Sequence, residues 1–255
     1  MDNLFDLTGR VAIITGGAGL LGMQHAEAIA SQGGIPILTD KEVNTLIIET
    51  RAKLLSDTYG IDSFGITMDV TNEDNIRKVL SDVLLHYGRI DILINNAAKN
   101  PKINKDPSKG SFQRVENFPI EAWENDLAVG LTGAFLCSKI IGSEMAKRGK
   151  GVIINIASDL AIISPNQNLY RKEGLPEDQQ PVKPITYSVV KSGLLGLTRY
   201  LATYWAKNGV RVNTLSPGGV YNNQPDDFVL RRSALTPLNR MARVDEYHGA
   251  IIFLS

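Results

Sequence analysis

The chain has one cysteine, Cys137, among 255 residues. No intrachain disulfide can form, so stability has to come from a packed core. Cys137 lies in the apolar run Ala134-Phe135-Leu136-Cys137, the setting of a buried, inert thiol. Neither sign of charge is in excess: 27 Lys and Arg stand against 27 Asp and Glu, so no nucleic-acid partner is expected. No apolar run reaches the roughly 18 residues of a membrane span. The first six residues lack the basic-then-apolar order of a signal peptide. Internal repeats and low-complexity tracts are lacking too. The expectation is a cytoplasmic protein with no membrane partner. What is present is 43% hydrophobic content, enough for one large core, and the whole span 1–255 reads as one domain.

Apolar runs at 11–15, 35–38, 64–68, 90–94, 152–156 and 210–215 read as strands. Between them, 24–31, a stretch ending at 55, 76–86, 123–147 and 188–206 read as helices. Strands that are apolar throughout and alternate with helices imply an α/β fold, a doubly wound parallel sheet covered on both faces. The informative polar residues fall just after strand ends, the edge on which such sheets bind ligands. Two polar, proline-bearing stretches, 99–119 and 164–184, break the short-loop rhythm at that edge, and loops of this length are usually functional. Residues 221–240 are a candidate substrate lid.

Thr15-Gly16-Gly17-Ala18-Gly19-Leu20-Leu21-Gly22 joins the first strand to its helix. Glycines there let backbone approach a pyrophosphate, and the helix start offers N–H groups and a positive dipole end. Asp40 ends the second strand, where a carboxylate accepts from adenosine ribose hydroxyls and repels a 2′-phosphate. NAD is therefore expected over NADP, although Lys41 could welcome that phosphate. Tyr187 and Lys191 stand four residues apart, on one helical face. A phenol beside an ammonium is an acid–base device, and the positive charge is expected to lower the tyrosine pKa.

These pieces, with Asp69-Val70, Asn95-Asn96-Ala97-Ala98, Ser158, Asn213 and Pro217-Gly218, resemble the short-chain dehydrogenase/reductase family along nearly the whole chain. The wording from Tyr187 to Trp205 and from Asn213 to Asn222 resembles a bacterial branch linked to surface-carbohydrate or flagellin modification. The resemblance implies a Rossmann-type domain and a homodimer or homotetramer. It implies Tyr187 as general acid–base, Lys191 as the residue that tunes it and holds the nicotinamide ribose, and Ser158 as donor to the substrate oxygen. It also implies cofactor contacts from Gly16, Gly19, Leu20, Leu21, Gly22, Asp40, Asp69, Val70, Asn95, Ala97, Ala98, Tyr187, Lys191, Pro217, Gly218 and Val220, and no metal.

Four departures qualify the resemblance. The glycines are spaced Gly16, Gly19, Gly22, with Leu20 where short members usually have glycine; longer members acting on nucleotide sugars share this spacing. Gly130 stands where the family usually has a catalytic Asn in the long central helix. Ser158 and Tyr187 are separated by the extra segment 164–184, which carries Asn166, Gln167, Asn168, Arg171, Lys172, Gln179 and Gln180 and suits hydroxyl-rich or anionic substrates. The residues end at Ser255, where the family normally continues through a last strand. The reading reached is an NAD(H)-dependent oxidoreductase that interconverts a secondary alcohol and a ketone on a small, polar, carbohydrate-like molecule. The glycine spacing leaves open a sugar epimerase or dehydratase that retains its NAD. Gly130 leaves open a non-catalytic dinucleotide-binding protein.

Overall fold

A computed structural model describes residues 4–99 and 113–255. The strands are β1 (Val11–Thr15), β2 (Ile35–Asp40), β3 (Gly65–Thr67), β4 (Ile92–Asn95), β5 (Gly151–Ile156) and β6 (Val210–Leu215). They lie in the order β3-β2-β1-β4-β5-β6, and every pairing is parallel. Chain order reverses between β2–β1 and β1–β4, so the crevice that holds ligands in open α/β sheets lies beyond the C-terminal ends of β1 and β4.

The helices are α1 (Leu20–Ala30), α2 (Thr45–Tyr59), α3 (Glu73–Tyr87), α4 (Ile120–Lys147), α5 (Ile185–Tyr204), α6 (Asp226–Ala234) and α7 (His248–Leu254). Successive strand residues point to opposite faces. Val11 and Ile13 of β1 therefore join one core with α3, α4 and Leu201 of α5, whereas Ala12 and Ile14 join the other with α1, α2 and Ile251 of α7. Cys137 is buried in the first core, and burial pushes its thiol up to about 12, which makes it inert as expected. By length and composition α4 could cross a membrane. Its apolar residues Leu136, Ile140, Ile141 and Met145 instead pack in the core.

Several boundaries differ from expectation for local reasons. β3 is only Gly65–Thr67, shorter than the apolar run 64–68. α1 begins at Leu20 rather than 24, so Leu20 and Leu21 belong to its first turn and not to the glycine turn. α5 begins at Ile185, with Pro184 at its N-cap, so Tyr187 stands in the first turn instead of just before the helix. α4 is interrupted by π-helical turns at Ala128–Thr132 and Ser138–Gly142. The segment 164–184 has two 3-10 turns, Gln167–Tyr170 and Glu177–Gln179. In the other insertion, 100–112 lie outside the described residues. Residues 221–240 carry α6, and a bridge between Val220 and Ala242 closes their base.

Candidate active site

One continuous cavity of about 1570 Å³ runs along the ligand edge, from Asp40 and the glycine turn at one end to Tyr187 and α6 at the other. Gly16 has φ +69°, a left-handed value that favours glycine. Gly22 does not line the cavity; a Cβ there would lie 2.2 Å from the Gly16 carbonyl oxygen, so its role is to let α1 meet the turn. Arg51 of α2 donates to the Gly17 and Gly19 carbonyls at 3.0 and 2.9 Å and holds the turn from behind. The Asp40 carboxylate accepts from the amides of Ala18 (3.0 Å) and Lys41 (2.9 Å) and from Asn44 Nδ2 (2.8 Å). An ionised carboxylate has about four acceptor sites, so capacity remains for a ribose hydroxyl. Asp69 accepts from the Thr71 amide and hydroxyl.

Fourteen of the predicted cofactor positions line this cavity; the exceptions are Gly22 and Asn95. Asn95 is buried, and its Nδ2 donates to Asn155 Oδ1 (2.8 Å) and Ser138 Oγ (3.1 Å). It ties β4 to β5 and α4, and its neighbour Asn96 faces the cavity instead. Asn96 Nδ2 donates to the carbonyls of Thr15 and Gly16, and so links β4 to the glycine turn. The glycine turn, the remaining acceptor capacity of Asp40 and the length of the cavity fit a dinucleotide.

Ser158, Tyr187 and Lys191 come together at the far end. Ser158 caps the short turn Asp159–Ala161 by accepting from the Leu160 amide at 3.2 Å, and its hydroxyl donates to Asp159 Oδ1 at 2.9 Å. Lys191 Nζ lies 5.8 Å from the Tyr187 ring centroid and donates to the Ile156 carbonyl at 2.6 Å. The expected depression of the tyrosine pKa is not what the structure produces. Burial raises the Tyr187 phenol above its ordinary range, and the Ser158 hydroxyl pulls it back only in part. Lys191 is itself pushed down to about 8, by burial first and then by the charge of Lys183. A buried phenol in this setting stays protonated at neutral pH and has a proton to donate.

Five side chains here escaped sequence reasoning. Lys183, the last residue before Pro184, puts Nζ 3.8 Å from the Tyr187 ring centroid. Asp159 and Arg232 of α6 form an ion pair that ties α6 to the serine loop. The ring of Tyr170 meets Phe228 of α6 at 5.8 Å and ties the insertion to α6. No motif marks these residues, because each acts through a partner remote in sequence or across a proline. Several polar groups of the insertion hold it together, although Arg171 also lines the cavity. Gln180 is buried and bonds the Lys172 and Leu175 backbone, Gln167 accepts from the Lys183 amide, and Arg171 pairs with Glu177.

Residues 10–171 match the short chain dehydrogenase family, and 178–255 match the family described as enoyl-(acyl carrier protein) reductase. The chain belongs to the short-chain dehydrogenase family. It is an oxidoreductase acting on CH–OH groups. The enzyme is 30% identical to D-threitol dehydrogenase of Mycolicibacterium smegmatis, over 98% of this chain and 87% of that one. It is 28% identical to the NAD-dependent glycerol dehydrogenase of Listeria innocua, over 85% and 72% of the two chains. Among solved structures, a gluconate 5-dehydrogenase from Burkholderia cenocepacia, in complex with NADP and tartrate, superposes with a TM-score of 0.81. Identity there is 26%, and the match covers 98% of this chain and 89% of the other. Members of this family use nicotinamide dinucleotides; those named here include both the NAD and the NADP form.

Proposed function

We propose that the enzyme interconverts a secondary alcohol and a ketone on a small carbohydrate-like molecule, with NAD(H) as the preferred dinucleotide. The observation that carries this reading is the meeting of Ser158, Tyr187 and Lys191 at one end of a cavity whose other end is the glycine turn and Asp40. The threitol, glycerol and gluconate named for its relatives support the substrate class. The polar insertion supports it as well.

The dinucleotide, when bound, accepts or supplies the hydride at the substrate carbon. In ketone reduction, Tyr187 gives its phenolic proton to the substrate oxygen, and Ser158 donates a hydrogen bond to that oxygen as negative charge develops. To do so, the Ser158 hydroxyl turns from Asp159. In alcohol oxidation, Tyr187 takes the hydroxyl proton, which requires the phenolate. Burial disfavours that form, so oxidation gains as pH rises. Lys191 has one N–H committed to the Ile156 carbonyl, and its others serve the nicotinamide ribose. Asp40 meets the adenosine ribose and disfavours a 2′-phosphate. The enzyme works in the cytoplasm as a homodimer or homotetramer. The exposed rings of Phe135 on α4 and of Tyr200 and Tyr204 on α5 offer apolar area to a second copy.

The test is a screen of polyols, sugars, sugar acids and sugar phosphates with NAD and NADP, followed by Tyr187→Phe. The variant should lose at least about a hundredfold in turnover and bind NADH as the wild type does. Undiminished turnover in Tyr187→Phe would refute the assignment.

A further inference from the structure

The two oxygens of the Asp159 carboxylate have different partners. Oδ1 accepts from the Ser158 hydroxyl and from the Leu160 amide, both at 2.9 Å. Oδ2 accepts from the Arg232 guanidinium of α6. The Asp159 amide donates to the Pro217 carbonyl at 3.0 Å, so the backbone beneath the carboxylate is held in place. Arg232 reaches it past Gly219, where a Cβ would lie 2.8 Å from Arg232 Nε and 3.4 Å from its Cγ. The glycine leaves the space that the arginine uses. Both members of the ion pair are only partly exposed, so water screens them less than a pair on the open surface.

This arrangement bears on the one proton that Ser158 has to give. A serine hydroxyl is a single donor, and while Asp159 Oδ1 holds that proton the substrate oxygen cannot have it. A bare carboxylate would hold it firmly, because a charge-assisted hydrogen bond is roughly twice as strong as a neutral one. A guanidinium on the other oxygen draws charge away and loosens the hold. The same pair acts on Tyr187: the Asp159 charge raises the phenol pKa and the Arg232 charge lowers it. The other titratable groups beside Tyr187, among the described residues, are Lys183 and Lys191, at 3.8 and 5.8 Å from its ring centroid, and Tyr170 of the insertion.

We propose that Arg232 is a positioning residue which, by offsetting the Asp159 carboxylate, releases the Ser158 hydroxyl to the substrate oxygen and makes turnover depend on α6 lying against the serine loop. Arg232 acts through Asp159 and touches no reacting atom. Without its charge, Asp159 keeps the serine proton and also opposes the Tyr187 phenolate. This inference rests on the oxidoreductase reading above and adds to it how Ser158 is freed.

The test compares wild type with Arg232→Met, Arg232→Lys, Asp159→Asn and the double variant Arg232→Met/Asp159→Asn. NADH formation from NAD is followed with D-threitol, glycerol and D-gluconate from neutral to alkaline pH, and NADH affinity checks that each variant folds. Arg232→Met should lower kcat at least about tenfold with little change in KM, because the lost help is to charge that develops in the transition state. Its alkaline rise in rate should move up by about one pH unit. Arg232→Lys should keep most of the rate. The double variant should recover most of what Arg232→Met loses, since an amide at 159 holds the serine proton only as a neutral acceptor. Undiminished kcat in Arg232→Met overturns the proposal. So does a double variant as slow as Arg232→Met with an unmoved pH profile, which would mean that Arg232 only pins α6.

A second measurement needs no turnover. In the NAD complex labelled with 13Cζ-tyrosine, the Tyr187 signal is the one missing from Tyr187→Phe. It should titrate at higher pH in Arg232→Met and at lower pH in Asp159→Asn than in wild type. Identical titration in all three overturns the proposal. If wild type oxidises none of the three polyols while these shifts appear, the polyol reading fails and the action of the pair on the site stands.

Discussion

A Cβ on Gly130 would fall 2.5 Å from Cγ1 of Val190. Gly130 lies in a π-helical turn of α4 and Val190 one position before Lys191 on α5, so the two helices meet there at glycine distance. The missing asparagine side chain is therefore coupled to a bulky neighbour: Val190 fills the space that a side chain at 130 would need.

Gly130→Asn should destabilise by about 1–3 kcal/mol through overpacking. Asparagine has the better helix propensity, so the opposite sign would be expected at an open position. Adding Val190→Ala should recover part of the loss, with a coupling of about 1 kcal/mol in a double-mutant cycle read from urea unfolding. Strict additivity would show that the two side chains do not compete.

Asp40 is tied to the glycine turn through the Ala18 amide, and in the proposed reading it also disfavours a 2′-phosphate. Asp40→Ala removes the charge and leaves Lys41 beside the ribose end. The ratio of kcat/KM with NAD to that with NADP should fall by at least about tenfold, a loss of about 1.4 kcal/mol in discrimination. An unchanged ratio would show that another residue sets the preference.

His25 of α1 is fully buried, and neither ring nitrogen has a hydrogen-bond partner among the described residues. Burial holds its pKa down to about 3, with smaller pushes from His248 and Lys191. The folded state keeps the ring neutral while the unfolded state takes a proton below about pH 6.5. Stability should thus be lost as pH falls from about 6.5 towards 3, by a total on the order of 4 kcal/mol. His25→Leu should flatten that part of the stability–pH curve, measured by urea unfolding at successive pH values. An equally steep decline in the variant would place the acid sensitivity elsewhere.

Strand ends proved the most legible part of this chain. Thr15, Asp40, Asn95, Ser158 and Leu215 each close an apolar run, and a parallel sheet gathers such ends on one edge, so the cavity followed from pattern alone. Asn95 shows the limit: the strand end was found, but which of two adjacent asparagines faces the cavity depends on the pleat and on Ser138 and Asn155 being there to bond the other. Tyr187 shows a second limit. Its partner Lys191 is one helical turn away and readable, whereas its raised pKa comes from burial beneath segments remote in sequence.

The sequence by itself determined the doubly wound sheet, the glycine turn after the first strand and the one-turn spacing of Tyr187 and Lys191, because these depend on periodicity and on short spacings within single elements; Ser158 joined that pair only through family resemblance. Tertiary structure alone decided that Lys183 lies over Tyr187, that Arg232 reaches Asp159, and that Val190 closes the space beside Gly130. Those contacts depend on how a proline turns one segment and how separate helices approach. Approach distances are set by the packing of the whole core, to which no local pattern gives access.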